Sequence, residues 1–198
     1  NRSETMQLVE HLKQTEPELV ADAIPNAITY ANLEKILKSL LQEGIPIKDL
    51  ATILETIVDA SATTHDIDLI TEQVRGALSR TITRRFCENG QLRVVTLDAE
   101  VEKKVLSALT KNDRGVYLAL SPDVMQQIVA QLGELRKKFN ELSQTPIVLT
   151  SQIIRVYLSR MLHQFYPDIY VLSFNGITSN VQIQAIGNIV LEKQEMRA

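Results

Sequence analysis

LRVVTL, residues 92–97, is the stretch that decides the fold class of this chain. Its apolar and β-branched residues favour a strand, and Asp98 directly after it is a residue type that caps helices. A similar strand pattern followed by a helix signal occurs at residues 116–120 (VYLAL) and 146–150 (PIVLT). Strands that alternate with helices in this way predict a sheet that is at least partly parallel and covered by helices.

The helices between these strands are predicted from apolar residues at helical spacing. One follows Asp98 and carries apolar residues as far as Leu109, and a long one follows Ser121 and ends its apolar stripe at Leu142. A third begins at Ser151 or the residue before it and is stopped by a proline.

The end of the chain is predicted to form an antiparallel edge of the sheet. Residues 169–174 and 181–191 have strand character and are joined across Asn175-Gly176, which is a turn signal. We therefore expect these two strands to run as a hairpin. The charged tail after Leu191 is expected to fray.

The first 85 or so residues are predicted to be nearly all helix. Short polar connections separate amphipathic segments, which is typical of a small bundle of antiparallel neighbours. The fold class is thus α+β, an N-terminal helical subdomain followed by a small mixed-sheet α/β subdomain. The helix signals are Ser3 as a first cap, a capping box at residues 15–18 (TEPE), Thr29 as a cap after Ile28, Gly44 as a C-terminal cap, a helix after Pro46, and Asp66 as the next cap.

Composition argues against several classes of protein. The 198 residues carry a net charge of −3, and the densest basic cluster, Arg80, Arg84 and Arg85, suits a solvated helix end. Nucleic-acid binders usually carry a basic patch instead. Cys87 stands alone, so no internal disulfide can form.

No catalytic, metal or cofactor motif is visible. The three histidines, His11, His65 and His163, are far apart in sequence, whereas zinc needs three or four converging ligands. The strand-to-helix turns lack the glycines of phosphate loops. Carboxylate pairs such as Glu100 and Glu102 lie at helix starts, where the helix dipole favours acids. We expect neither an enzyme nor a cofactor.

An aromatic cluster lies around Pro167. It consists of Tyr157, Phe165, Tyr166 and Tyr170. Core and subdomain packing explains such a cluster, and a partner-binding patch is the alternative, since aromatic residues are enriched at protein interfaces.

Several segments in order resemble the flagellar and virulence type III export-gate family (the FlhA family). The resemblance runs from about Thr15 to Val190. In the helical half it rests on residues 43–56 (EGIPIKDLATILET), 68–75 (DLITEQVR) and 78–82 (LSRTI). In the α/β half it rests on 92–98 (LRVVTLD), 117–122 (YLALSP), 146–150 (PIVLT), 165–168 (FYPD), 171–175 (VLSFN) and 183–187 (IQAIG).

This resemblance implies domain boundaries. Residues 1–26 correspond to the end of a preceding cytoplasmic subdomain, 27–88 to the helical subdomain, and 89–198 to the C-terminal α/β subdomain. The sequence begins with Asn1 and contains no run near the ~18 apolar residues of a membrane span. The non-methionine first residue predicts a piece of a longer protein, and the resemblance implies that its missing N-terminal half lies in the bacterial inner membrane, with this domain on the cytoplasmic face.

The resemblance also implies partners. They are neighbouring copies in a ring, expected to be a nonamer, export chaperone–substrate complexes, and other components of the export apparatus. The Asn-Gly-Ile segment with Gln182 and Gln184 resembles the flagellar branch more than the virulence branch. Lys48 stands where the family usually has arginine, which keeps the charge but loses the planar fork for bidentate pairing. Gly176 stands where the family usually has an acid, which removes a charge.

Charges beside the helical stripes are the candidates for ring contacts. They are Lys48, Asp49, Glu55, Arg75 and Arg80. Local capping and i,i+4 pairs on the same helices are an equally good explanation of each.

An RNA-binding accessory domain is the alternative function, because small α/β domains of this strand and helix order occur in translation enzymes. The acidic balance of the chain conflicts with it. A gel shift with RNA that weakens steeply with salt would favour this alternative.

Overall fold

A computed structural model describes residues 1–192 of the chain. The described residues divide into two compact units: residues 1–85 with 175–178 form the first, and residues 86–174 with 179–192 form the second. The first is helical and the second contains the sheets, so the α+β fold class is confirmed. The subdomain boundaries 1–26, 27–88 and 89–198 stay predictions, and the expected fraying of residues 193–198 lies outside the described residues.

The helical unit is built on amphipathic helices whose apolar faces are buried. Leu33 and Leu40 of one helix and Ile53 and Ile57 of the next are fully buried. Thr29 and Asp66 cap their helices as predicted, each accepting a hydrogen bond from a first-turn N–H. The elements are α1 (Arg2–Lys13), α2 (Pro17–Asp22), a π-helical turn (Ala23–Ala27), α3 (Tyr30–Gln42), α4 (Leu50–Ser61), α5 (Ile67–Ala77) and α6 (Ser79–Phe86).

Three details of this unit differ from the sequence prediction. Asn1, and not Ser3, caps α1 and forms a capping box with Glu4. The predicted box at residues 15–18 is absent, because Glu16 and not Thr15 stands at the N-cap position of α2, and Thr15 Oγ1 donates instead to the Leu12 carbonyl 3.2 Å away. The fifth helix, expected to run as far as Ile82, breaks at Leu78 into α5 and α6.

The α/β unit contains a parallel sheet of four strands in the order β5-β4-β1-β6. Strand β1 lies between β4 and β6 and is parallel to both. Helices α7 and α8 begin after Asp98 and Ser121, whose side chains cap them as predicted. Ser151 stands at the N-cap position of α9, but its side chain makes no capping hydrogen bond. The elements are β1 (Gln91–Leu97), α7 (Ala99–Ser107), β2 (Leu109–Asn112), β3 (Gly115–Leu118), α8 (Pro122–Glu141), β4 (Ile147–Thr150), α9 (Gln152–His163), β5 (Tyr170–Ser173) and β6 (Gln182–Ile189).

The predicted edge hairpin is wrong. Strand β6 pairs with β1 and not with β5, and β5 lies at the opposite edge of the sheet. Asn175-Gly176 belongs to a short 3₁₀ turn. The residues after that turn lie in the helical unit, where the Thr178 N–H donates to Thr83 Oγ1 at 2.9 Å. The segment 175–178 therefore separates β5 from β6, and β6 pairs with β1 on the other side of the sheet.

The strand predicted at residues 116–120 does not join the main sheet. It forms β3, which pairs antiparallel with β2, and Leu109 therefore lies in a strand and not at the end of α7. The turn between them is closed by Asn112, whose Oδ1 accepts from the Arg114 N–H at 2.8 Å, and by Gly115 at φ +118°. Only glycine adopts such a backbone readily.

Candidate functional site

The predicted contact residues of the helical unit differ in how accessible they are. Lys48, Glu55 and Arg80 are exposed. Asp49 is exposed as well, and it also caps α4 by accepting from the Thr52 N–H at 3.3 Å and the Thr52 hydroxyl at 2.7 Å. Arg75 is 2% exposed. Arg75 therefore offers no surface to a partner in this conformation, and the interface role of the other four stays a prediction.

Lys48 and Asp49 lie on the connection between α3 and α4, which begins with a Schellman motif. The Gly44 N–H donates to the Leu41 carbonyl at 2.9 Å, and the Ile45 N–H donates to the Leu40 carbonyl at 3.0 Å. Ile45 is fully buried beneath the helix end. The C-terminal cap predicted at Gly44 is thus confirmed, and this motif fixes the direction in which the chain leaves α3.

Arg85 covers this helix end. Its Nε donates to the Glu43 carbonyl at 3.1 Å. A Cβ at Gly44 would lie 2.6 Å from the same nitrogen. The cation complements the negative end of the α3 dipole, so the basic cluster of α6 contacts the cap of another helix in the same unit.

Changing Gly44 to Ala is expected to lower the free energy of unfolding by about 2 kcal/mol. Its φ of +71° alone costs an L-residue roughly 1 kcal/mol, and the new methyl must also displace Arg85. Gly90 is the matched control, since its φ is +77° but nothing lies within 4 Å of a new Cβ. Urea denaturation that finds equal losses for the two alanine variants would contradict the role given to Arg85.

Glu43 is the residue that the sequence prediction missed. Its carboxylate accepts a hydrogen bond from Nη1 of Arg75 and forms an ion pair with it. The Glu43 side chain is 19% exposed, so one partner is buried and the other reaches toward solvent. The sequence places Arg75 at helical spacing between Thr71 and Leu78, and hence on the same face of the helix. The structure shows that both neighbours are buried. A charged residue on such a face indicates that a partner exists, and Glu43 is that partner.

The α/β unit carries a groove of ≈410 Å³ between the β2–β3 hairpin and α9. Tyr117 on one wall is 45% exposed, and Tyr157 on the other is buried. The Arg160 guanidinium carbon lies 6.0 Å from the centre of the Tyr157 ring. Of the predicted aromatic cluster, Phe165 is exposed, whereas Tyr157 is part of the packed interior.

Polar residues elsewhere in the α/β unit serve the fold. Glu102, one of the paired acids, accepts from the Thr150 hydroxyl at 2.8 Å and from the Ser151 N–H at 3.1 Å. Arg136 Nε donates to both carboxylate oxygens of Asp168, at 2.9 and 2.8 Å. The hydrogen bond that Arg136 donates to Asp168 raises the pKa of Arg136, against a smaller opposing effect of desolvation. These contacts join helices to the sheet and its loops.

No group of three potential ligands converges on a metal position within residues 1–192. His11, His65 and His163 are each exposed. Over the same residues, no helix combines the length and the apolar character that crossing a membrane requires.

The helical unit and the α/β unit together carry the sequence of a recognised protein family. The sequence model of the FHIPEP family matches residues 1–182, and the chain belongs to that family.

Among its relatives are the flagellar biosynthesis proteins FlhA. The chain is 38% identical over 187 residues to FlhA of Bacillus subtilis (strain 168), and the match covers 94% of this chain and 28% of that protein. FlhA of Salmonella typhimurium is 33% identical over 189 residues, with 95% of this chain and 27% of that protein covered. The chain thus spans less than a third of these relatives.

Solved structures of related proteins, among them the EscV domain from a type III secretion system, have the same fold. The CdsV protein of Chlamydia pneumoniae matches with a TM-score of 0.86 and 32% identity, over 96% of this chain and 55% of that one. The nonameric cytosolic domain of EscV matches with a TM-score of 0.80 and 28% identity, over 96% of this chain and 56% of that one. CdsV has also been solved in complex with CdsO, a match with a TM-score of 0.83, 30% identity, and coverage of 96% and 56%.

Proposed function

We propose that this chain is part of the cytoplasmic ring and docking platform of the flagellar type III export apparatus. Copies associate side by side into a nine-membered ring on the cytoplasmic face of the inner membrane. The ring receives chaperone–substrate complexes for export. The chain works by differential binding and not by catalysis.

One observation carries the proposal. A homologous domain that matches 96% of this chain assembles as a nonamer. A ring requires a heterologous contact, in which two different surface patches of neighbouring copies meet. The solved complex of CdsV with CdsO supports contacts with further components of the apparatus.

The exposed charges of the helical unit are the proposed contact residues. Lys48, Glu55 and Arg80 bring both signs of charge to its surface. Opposite charges on neighbouring copies set register and specificity more than affinity. Asp49 also caps α4, so substituting it would change the stability of that helix as well as any contact.

Reversing Lys48 to Glu is expected to weaken self-association about tenfold, because one attractive pair becomes a like-charge pair. Sedimentation velocity at rising protein concentration and low salt measures this. The matched control is Lys138→Glu, which makes the same charge change at an exposed position of α8 in the other unit.

Equal association of both variants would remove Lys48 from the contact. Absence of association by the unmodified chain, even at several hundred micromolar, would contradict the ring proposal itself. Turnover of a small molecule by the purified chain would contradict the proposed lack of catalysis.

A further inference from the structure

We propose that Arg75 is a positioning residue for self-contact: through Glu43 it holds the α3–α4 connection in the conformation that presents Lys48 to the neighbouring copy. This assignment rests on the proposed function, because it concerns the self-contact of the helical unit. It replaces direct contact by Arg75, which its 2% exposure does not allow.

Both the side-chain carboxylate and the backbone carbonyl of Glu43 accept hydrogen bonds from arginine. Its carboxylate accepts from Arg75 on α5, and its backbone carbonyl accepts from Arg85 on α6 at 3.1 Å. Side chains from α5 and α6, both distant in sequence from α3, therefore fix the C-cap residue of α3. A rotation of the chain at Glu43 would break both interactions.

The Arg75 side chain has little alternative to this arrangement. Its Nε and Nη2 atoms are buried and have no hydrogen-bond partner within residues 1–192. A buried cation that loses its counter-charge pays the full cost of desolvation. The Glu43–Arg75 pair consequently resists displacement, whereas an exposed ion pair would exchange freely with water.

The path from this pair to the proposed contact is short. Gly44 and Ile45 complete the Schellman motif immediately after Glu43, and buried Ile45 anchors the connection from below. The chain then surfaces at Pro46 and Lys48, which are exposed, and Asp49 fixes the start of α4. The conformation of Lys48 is thus set at one end by the Glu43 cluster and at the other by a helix cap.

The experiment compares Arg75→Met with Lys48→Glu in the whole chain. Methionine keeps much of the length of the arginine side chain and removes its charge. Hydrogen exchange of the amides in residues 44–50 and sedimentation velocity are measured together, at a temperature where circular dichroism shows both variants folded. We expect Arg75→Met to speed that exchange about fivefold or more and to weaken association in parallel, whereas Lys48→Glu weakens association and leaves the exchange unchanged.

Arg75→Lys carries the test if the methionine variant does not fold. Lysine keeps the charge but loses the planar fork, so exchange and association should change together and by less. Unchanged association of a folded Arg75 variant with faster exchange at residues 44–50 would overturn the assignment alone, as would lost association with unchanged exchange. Failure of the wild-type chain to associate would instead overturn the proposed function, and the assignment with it.

Discussion

Glu43→Gln is expected to lower the free energy of unfolding of the helical unit by about 3 kcal/mol. The substitution keeps the size of the side chain but leaves the Arg75 guanidinium buried without its counter-charge. Removing one partner of a buried pair costs roughly 3–5 kcal/mol, and the low end applies because Glu43 is 19% exposed. Urea denaturation followed by circular dichroism measures the loss.

The double variant Glu43→Leu, Arg75→Met provides the control for this prediction. Replacing both charges by apolar side chains removes the desolvation cost along with the pair. We expect it to be more stable than Glu43→Gln by at least about 2 kcal/mol. If the double variant is the less stable of the two, the pair is not the feature that makes Glu43 important.

Phe139→Ala is expected to destabilise the α/β unit by about 3–5 kcal/mol. Phe139 on α8 is 1% exposed and belongs to a core that includes Ile128, Leu158 and Val171. A cavity is left there because the surrounding helix and strands can close only in part.

Leu142→Ala is the matched control, since Leu142 caps the same helix but is 50% exposed. We expect it to change stability by less than about 0.5 kcal/mol. Both residues belong to the apolar stripe read from the sequence, so similar losses for the two would show that the core of this unit lies elsewhere than the structure places it.

The local features of the fold were the ones that could be predicted from sequence. Caps at Thr29, Asp66 and Asp98 depend on a side chain and an N–H only two or three residues away. The C-terminal cap at Gly44 likewise depends on φ at one residue. Information of this range is present in a single stretch of sequence.

The arrangement of strands could not be predicted in the same way. β6 pairs with β1 across some ninety residues, with Gln91 beside Gln182, and no local signal distinguishes that partner from the sequence neighbour β5. The β2–β3 hairpin was missed although Asn112 and Gly115 mark its turn, because β2 continued the apolar spacing of the helix before it.

In the candidate site, too, local features could be predicted from the sequence and long-range contacts could not. Exposure of Lys48, Glu55 and Arg80 follows from their places beside the apolar stripes. Arg75 lies on the inner face of α5 and meets Glu43 from a different helix, so its burial depends on how the helices pack. A charged residue on a buried face indicates a partner but does not identify it.

Photo-crosslinking tests the central claim, that copies of this chain meet through the α3–α4 connection, most directly. A photoreactive amino acid is placed at position 48 and, as the control, at position 138. We expect irradiation of the position 48 variant to give a ladder of covalent oligomers beyond the dimer, because a heterologous contact links each copy to the next. Dimers alone from position 48, or ladders of equal strength from both positions, would contradict this account.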